Sequence, residues 1–294
     1  MNHVKISIII PFTRPHSATK TINSVLTQTR EGDYEIIVVG MEASRLREFF
    51  HQREIILVDT KEKTNPSEAR NIGAIKSRGK LLLFIDDDCE AGPAWLEGYK
   101  RHIYNPEIGI ITGMVKGRSK RFFARCFDLN FYLQKGRKER ELKRFSSITF
   151  GMRREVFDKL CGFDNKIIVR EDIDLARRAT SIGYRILYTP EILVIHDHNR
   201  DTLNKYLFYS YSSGLLCGLS VSFKHKKGWK DLIKIIFKRF YILLILPAAI
   251  WSTCVQTAGI LKVRKNVIPF LPFMFLANLF YQIGVFKWTI ASKA

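Results

Sequence analysis

Three consecutive carboxylates, Asp86, Asp87 and Asp88, close the five-residue apolar run Leu81 to Ile85. A continuous apolar run bounded by polar residues predicts a strand covered on both faces, as in a parallel sheet sandwiched by helices. In open sheets of that kind, ligands sit beyond the carboxyl ends of the strands. Carboxylates crowded there repel one another and favour a bound cation, and hard oxygen donors suit Mg²⁺ or Mn²⁺. The same residues also read as a solvated acidic turn opening a helix at Pro93, where negative charge suits the helix N-terminus. A second acidic pair, Glu171 and Asp172, stands at the head of another helix, where simple charge compensation is again an adequate reading. His196 and His198 follow a third apolar run, and a His-x-His pair on a strand shares one face.

The elements that position these groups are legible as alternating strands and helices. Val4 to Ile10, Glu35 to Val39 and Glu54 to Val58 read as short buried strands, with Leu81 to Ile85 as the fourth. Between them, Ser17 can cap a helix with Ile22, Val25 and Leu26 on one face. Arg45 to His51 carries Leu46, Phe49 and Phe50 on one side. Asn65, Pro66 and Glu68 form a helix start with cap, first-turn proline and acid in register. That helix holds Arg70 and stops near Gly79. Four alternations within about ninety residues argue for βαβ units and a parallel sheet. Further on, Arg153 to Leu160 is a short helix. Arg170 opens another, with Leu175, Ala179 and Ile182 inward and Gly183 as its left-handed stop. Tyr184 to Tyr188 and Ile192 to Ile195 read as two strands, the second delivering His196.

At 294 residues, 46% hydrophobic and 26% charged, the chain has ample material for a core and is not disordered. Its five cysteines lie far apart without a CxxC pair, so neither a zinc site nor a disulfide framework follows, and a reducing compartment fits. The first residues run directly into a strand pattern, without the marks of a signal peptide. The net charge of +20 calls for an anionic partner. Between Lys116 and Arg144 eleven Lys or Arg face three acids, interleaved with Phe122, Phe123, Phe127, Phe131 and Tyr132. Such a stretch suits nucleic acid, an anionic membrane, or an ordinary solvated helix.

The C-terminus decides between them. Trp229, Leu232, Ile233, Ile236 and Phe237 recur at helical spacing among Lys226, Lys227, Lys230, Lys234, Lys238 and Arg239, a basic interfacial helix. Phe240 to Leu261 and Val267 to Phe286 are free of charge, and each approaches the roughly 20 residues that cross a bilayer core. A buried soluble hairpin is the alternative, to which Gln256, Asn278, Pro247, Pro269 and Pro272 lend weight. Lys262, Arg264 and Lys265 between the runs leave partial, re-entrant insertion open. Basic residues flanking both runs favour a membrane, with the stronger cluster before Phe240 placing the preceding part in the cytosol. Anionic lipid then accounts for both basic stretches, and no nucleic-acid partner is expected. The domains expected are 1–205, an interfacial segment 206–239 and a membrane-associated helical hairpin 240–294.

Together these motifs resemble the family 2 glycosyltransferases, inverting enzymes with the GT-A fold. The resemblance runs from about Ile6 to about Gly214. It is carried by Ser7-Ile8-Ile9-Ile10-Pro11, Ala69-Arg70-Asn71-Ile72-Gly73, Phe84-Ile85-Asp86-Asp87-Asp88, Gly162-Phe163-Asp164, Glu171-Asp172 and the strand reaching His196. It implies an α/β catalytic domain that binds a nucleotide-sugar donor across the C-terminal edge of the first four strands. Pro11 and Thr13 would line the nucleotide pocket, Arg70 would face the nucleotide or its phosphates, and Asp86 with Asp87 would contact the donor. Asp88 would bind the divalent cation, Mg²⁺ or Mn²⁺, with His196 as a further ligand and His198 as its competitor. Asp172 resembles the family's general base, and Glu171 beside it would raise its pKa. The charge-free C-terminal runs resemble the membrane-anchored branch that acts on glycan or lipid-linked acceptors. One departure stands out: where many members carry an acid after the second strand, as in Val-Asp-Asp-Gly-Ser, this chain has Val39-Gly40-Met41-Glu42. The nucleotide contact is then missing, or moved to Glu42 or Asp59. A polyprenyl-phosphate sugar transferase needing no base and a silent nucleotide-sugar scaffold are the rival readings.

Overall fold

Runs of β-branched and aliphatic residues too apolar to face water on either side form the centre of the fold. The computed structural model describes residues 6–29, 34–51, 55–131, 136, 138–167, 169–222, 230–261 and 267–291; the side chains of 218–222, 230–242 and 289–291 lie outside that description. In order, the chain forms β1 (Ile6–Pro11), α1 (Pro15–Leu26), β2 (Tyr34–Gly40), a 3₁₀ turn (Ala43–Glu48), β3 (Ile55–Asp59), α2 (Pro66–Lys76), β4 (Leu81–Ile85) and β5 (Cys89–Ala91). Then come α3 (Trp95–His102), β6 (Ile108–Gly117), α4 (Phe122–Phe131), β7 (Arg140–Leu142), β8 (Thr149–Arg153), α5 (Arg154–Lys159), α6 (Glu171–Ser181) and β9 (Arg185–His196). Three long helices follow: α7 (Leu203–Ser222), α8 (Lys230–Leu261) and α9 (Leu271–Ala291).

The strands form one sheet in the order β3-β2-β1-β4-β8-β6-β9-β5, with β7 also on β9. β3, β2, β1 and β4 run parallel; the pairs β4–β8, β6–β8, β5–β9 and β7–β9 are antiparallel. Every side chain of β1, β2 and β4 is buried, as strands covered on both faces require. The α2 start behaves as the sequence indicates: Asn65 Oδ1 accepts from Glu68 N at 2.9 Å. At the end of α6, Gly183 (φ +92°) donates to the Thr180 carbonyl and Tyr184 donates to Ala179, a Schellman closure.

Several local expectations are corrected. Ser17 does not cap α1; Pro15 starts the helix earlier, and Ser17 Oγ donates to the Arg14 carbonyl at 3.2 Å. Ile182 is 46% exposed rather than inward, because α6 ends at Ser181 and the closure turns it outward. The two strands expected around Tyr184–Tyr188 and Ile192–Ile195 are one strand, β9, with Pro190 between the stretches that pair with β7 and β5. The expected strand starts at Val4 and Glu54 lie outside the described residues.

The chain forms two compact units: Met1–Lys116 with Arg137–Asp197, and Gly117–Gly136 with His198–Ala294. A boundary at 205 would cut α7, and α8 continues without a break through 239 and 240. The first unit contains the sheet. In the second, α7 and α9 approach so closely that a Cβ on Gly214 would lie 2.0 Å from the Tyr281 carbonyl oxygen, and one on Gly284 2.1 Å from that of Tyr211. Small residues at such contacts are how helices associate in lipid. Phe122 stacks on Phe270 at 5.1 Å and meets Phe273 at 5.2 Å, so these aromatics of the basic stretch pack within the unit. Tyr132, Lys226, Lys227, Trp229, Lys262, Arg264 and Lys265 lie outside the described residues, as do the side chains of the expected interfacial helix at 230–239.

Leu243–Leu261 and Ile268–Trp288 are long and apolar enough to cross a membrane, with only 11% and 33% of their windows buried. A core helix of a soluble protein would be mostly covered. The polar residues that favoured a soluble hairpin satisfy one another: Asn278 Nδ2 donates to Gln256 Oε1 at 2.8 Å and Thr253 Oγ1 at 3.0 Å. Asn278→Leu is expected to weaken the α8–α9 association by about 0.6–1.7 kcal/mol, read as an earlier thermal transition in detergent or nanodiscs. A transition at the wild-type temperature would remove the network from the account.

Candidate active site

At the mouth of β4 the three aspartates have three different environments. Asp87 is buried and turned toward the loop after β1, where its Oδ2 accepts from Thr13 Oγ1 at 3.0 Å, from Arg14 N at 2.7 Å and from Thr13 N. Burial raises its pKa, against the Arg14 charge and the Thr13 amide. Asp87 therefore secures the loop carrying Thr13, and the Thr13 amide is spent inside the protein. Pro11, the last residue of β1, is buried opposite Val39.

Asp86 faces the other way. Its Oδ1 accepts from Arg70 Nη2 at 2.6 Å, and Arg70 Nη2 also donates to the Ser147 carbonyl at 3.1 Å. Arg70 Nη1 lies 3.4 Å from Glu171 Oε1, and its guanidinium stands over the Phe163 ring at 5.6 Å. Arg70 is only 1% exposed. A guanidinium so enclosed ties two carboxylates together. Burial pushes Asp86 up to about 6 despite the Arg70 charge, with Asp88 adding to the rise.

Asp88 holds the cationic side of the site. The antiparallel pairing of β5 with β9 sets Cys89 opposite His196, and Asp197 N donates to the Asp88 carbonyl at 2.8 Å. That register brings His196 Nε2 to 3.1 Å from Asp88 Oδ2, which also accepts from Arg14 Nη1. Burial alone would raise the Asp88 pKa; the His196 hydrogen bond and charge, then Arg14, outweigh it and hold the carboxyl below its usual value. Asp88, Cys89 and His196 form a cluster whose ligand atoms lie within 4.8 Å of one another. The Cys89 thiol is pushed well up by burial and by the surrounding aspartates, which leaves carboxylate oxygen and imidazole nitrogen as the ready donors. That set fits Mg²⁺ or Mn²⁺, and Arg14 and His196 already converge on the oxygen a divalent ion would take. His198 is engaged elsewhere: its Nδ1 accepts from Arg200 N at 3.0 Å and its Nε2 meets Asp128 Oδ1 at 3.2 Å, within the second unit.

The acid pair heads α6, preceded by Arg170 in the left-handed conformation (φ 66°). Asp172 Oδ1 accepts from Ile173 N at 2.8 Å, and burial first, then the Glu171 charge, raise its carboxyl to about 6. A carboxylate poised there can accept a proton near neutral pH.

On the far side of β1, Gly40 and Met41 rather than an acid directly follow Val39. A Cβ at Gly40 would lie 2.1 Å from the Phe12 carbonyl oxygen, so the close approach of the two strand ends excludes a side chain. Glu42 pairs with Arg45 at 2.7 Å on the surface. Asp59, exposed at the end of β3, accepts from Ser44 N at 2.8 Å, which holds the turn after β2; the Ser44 hydroxyl, then its amide, lower the Asp59 pKa. Gly40→Ala is expected to cost about 1–3 kcal/mol through overpacking against backbone. An unchanged Tm would show that the strand ends can separate. Arg14, Cys89 and Ser147 were not singled out from sequence. Arg14 and Cys89 directly adjoin motif residues, a signal that was available; Ser147 carries none.

The family profile described as Glycosyl transferase family 2 matches residues 7–161. The chain belongs to this family. Among its relatives are the O-antigen biosynthesis protein RfbC of Myxococcus xanthus, 27% identical over 219 residues, and the glycosyltransferase AglE of Haloferax volcanii, 26% identical over 203. Each match covers 65% of this chain, but 17% of RfbC and 66% of AglE. The GT-A fold is shared with the mannosyltransferase PcManGT of Pyrobaculum calidifontis, solved with GDP-Man and Mn²⁺ (TM-score 0.64, 14% identity, 99% of this chain and 88% of that one). It is shared also with GalNAc-T7, solved with UDP, GalNAc and Mn²⁺ (TM-score 0.53, 15% identity, 66% and 43%).

Proposed function

We propose that this glycosyltransferase moves a sugar, with inversion, from a nucleotide-sugar donor to a hydroxyl of a glycan or lipid-linked acceptor at the cytoplasmic face of a membrane. The observation that carries the reading is the pairing of Asp88 with His196 at the sheet's C-terminal edge, in the same unit as the proton-ready carboxyl of Asp172. Asp88 and His196 would hold a divalent cation. Bound there, the cation supplies charge neutralisation for a departing diphosphate. Arg14, whose side chain is 55% exposed beside Asp88, offers a further positive charge that enclosed Arg70 does not. Pro11 and Thr13 border the nucleotide side, with Asp86 toward the ribose or sugar. Asp59 is a candidate for the base-side contact, at the price of its bond to Ser44.

The acceptor hydroxyl is a poor nucleophile until a carboxylate takes its proton, the role given to Asp172. Inversion follows from a single displacement in which base and leaving phosphate lie on opposite sides of the sugar. The two apolar helices and the basic stretches support association with anionic lipid, and RfbC's part in O-antigen biosynthesis supports a surface-glycan product.

A thermal-shift screen of UDP, GDP and their sugars, with and without Mn²⁺, tests the donor. A ligand at about 100 times its Kd stabilises the fold by about 2.7 kcal/mol. A metal-dependent rise for one nucleotide series is expected; no rise with any of them would sink the reading.

A further inference from the structure

Ser147 precedes β8, where the pairing of Ile85 with Thr149 and the bond from Asp86 N to the Ile148 carbonyl carry it alongside the aspartate loop. It is buried, and each of its three polar groups serves the acid pair or its counter-ion. The carbonyl accepts from Arg70 Nη2 at 3.1 Å. The hydroxyl donates to Glu171 Oε1 at 2.9 Å. The amide, with that of Ile173, favours the ionised form of Asp172.

We propose that Ser147 is a positioning residue for the acid pair: its hydroxyl fixes the Glu171 carboxyl group on Arg70, leaving Asp172 free to take the acceptor's proton. This rests on the reading of Asp172 as general base. Neighbouring carboxylates in the first turn of a helix repel, and the like charge disfavours ionisation of either. Arg70 faces Glu171 from α2, and the Ser147 hydroxyl fixes the direction of its carboxyl group. The groups influencing Asp172 are Glu171 on its own helix, Arg70 from α2, and the Ser147 and Ile173 amides. Asp86, at the end of β4, shares Arg70, while Asp174 is bound by Arg177 and Arg178. Without the hydroxyl, the Glu171 carboxyl group is loosely held and free to approach Asp172, which becomes harder to ionise. A serine that only fills space would affect stability and leave this titration unmoved.

The experiment uses the full chain in nanodiscs and follows nucleoside diphosphate release from UDP-glucose and from GDP-mannose with Mn²⁺, from about pH 5 to about pH 8. Ser147→Ala is expected to lower kcat about tenfold with donor KM within about twofold, and to move the acid limb up by about half a pH unit. Ser147→Thr, which keeps the hydroxyl, is expected to restore both, with Tm confirming that each variant folds. Wild-type kcat and an unmoved acid limb in Ser147→Ala, beside a collapse in Asp172→Asn, overturn the positioning role alone. Undiminished turnover in Asp172→Asn overturns the base reading and this proposal with it. A folded Ser147→Thr that restores neither kcat nor the acid limb also overturns the positioning role.

Discussion

Asp172→Asn is expected to lower transfer by about 10²–10⁴-fold, the usual contribution of a positioned general base. The side chain keeps its shape and its bond from Ile173 N, but it can no longer take a proton. The pH profile gives an independent reading of the same group. Burial and the neighbouring Glu171 raise the Asp172 carboxyl to about 6. A base must be ionised, so turnover should fall as the pH drops through about 6 and level off above it. Asp172→Asn should remove that limb along with the rate. If the acceptor were a polyprenyl phosphate, already an anion, no base would be needed and Asp172→Asn would retain most of its turnover. Steady-state rates across the pH range therefore separate the two acceptor classes.

The second large effect is expected at Asp88. Removing a charge-stabilising interaction of several kcal/mol costs about a thousandfold in rate at about 4 kcal/mol, so Asp88→Asn should fall by that order. Chelation of the wild type should produce a similar loss that added Mn²⁺ reverses, whereas Asp88→Asn should not respond to Mn²⁺. Direct Mn²⁺ titration followed by electron paramagnetic resonance gives a readout that needs no turnover: the wild type with nucleotide should bind the ion, and the variant should bind it far more weakly. Equal Mn²⁺ binding by both would remove Asp88 from the metal site. Metal-dependent transfer that requires Asp88 would also exclude a catalytically silent nucleotide-sugar scaffold.

The sequence by itself determined the first half of the sheet. Ile8 to Ile10, Ile36 to Val39 and Leu81 to Ile85 are so uniformly apolar that only strands covered on both faces accommodate them. It also determined the start of α2 and the stop after α6, since a cap such as Asn65 or a left-handed turn such as Gly183 is settled by a few neighbouring dihedrals. The positions of Asp86, Asp87, Asp88 and His196 at strand ends were legible for the same reason.

Their division of labour was decided only by tertiary structure. Nothing local distinguishes Asp87, which anchors the Thr13 loop, from Asp88, which meets His196; the difference arises from pairing between β5 and β9. The three-residue strands β5 and β7 are too short for a periodic pattern, and their register depends on partners distant in the chain. Arg70 reaches Glu171 across 101 positions, a link between acids that no local pattern announces. The lack of an acid at Gly40 is plain in the sequence, but the reason for it, the Phe12 carbonyl pressed against that position, appears only in the fold. Local sequence encodes which residues are buried and how the backbone bends, whereas the neighbours of a charged group, and so its chemistry, are set by which distant segments pack together.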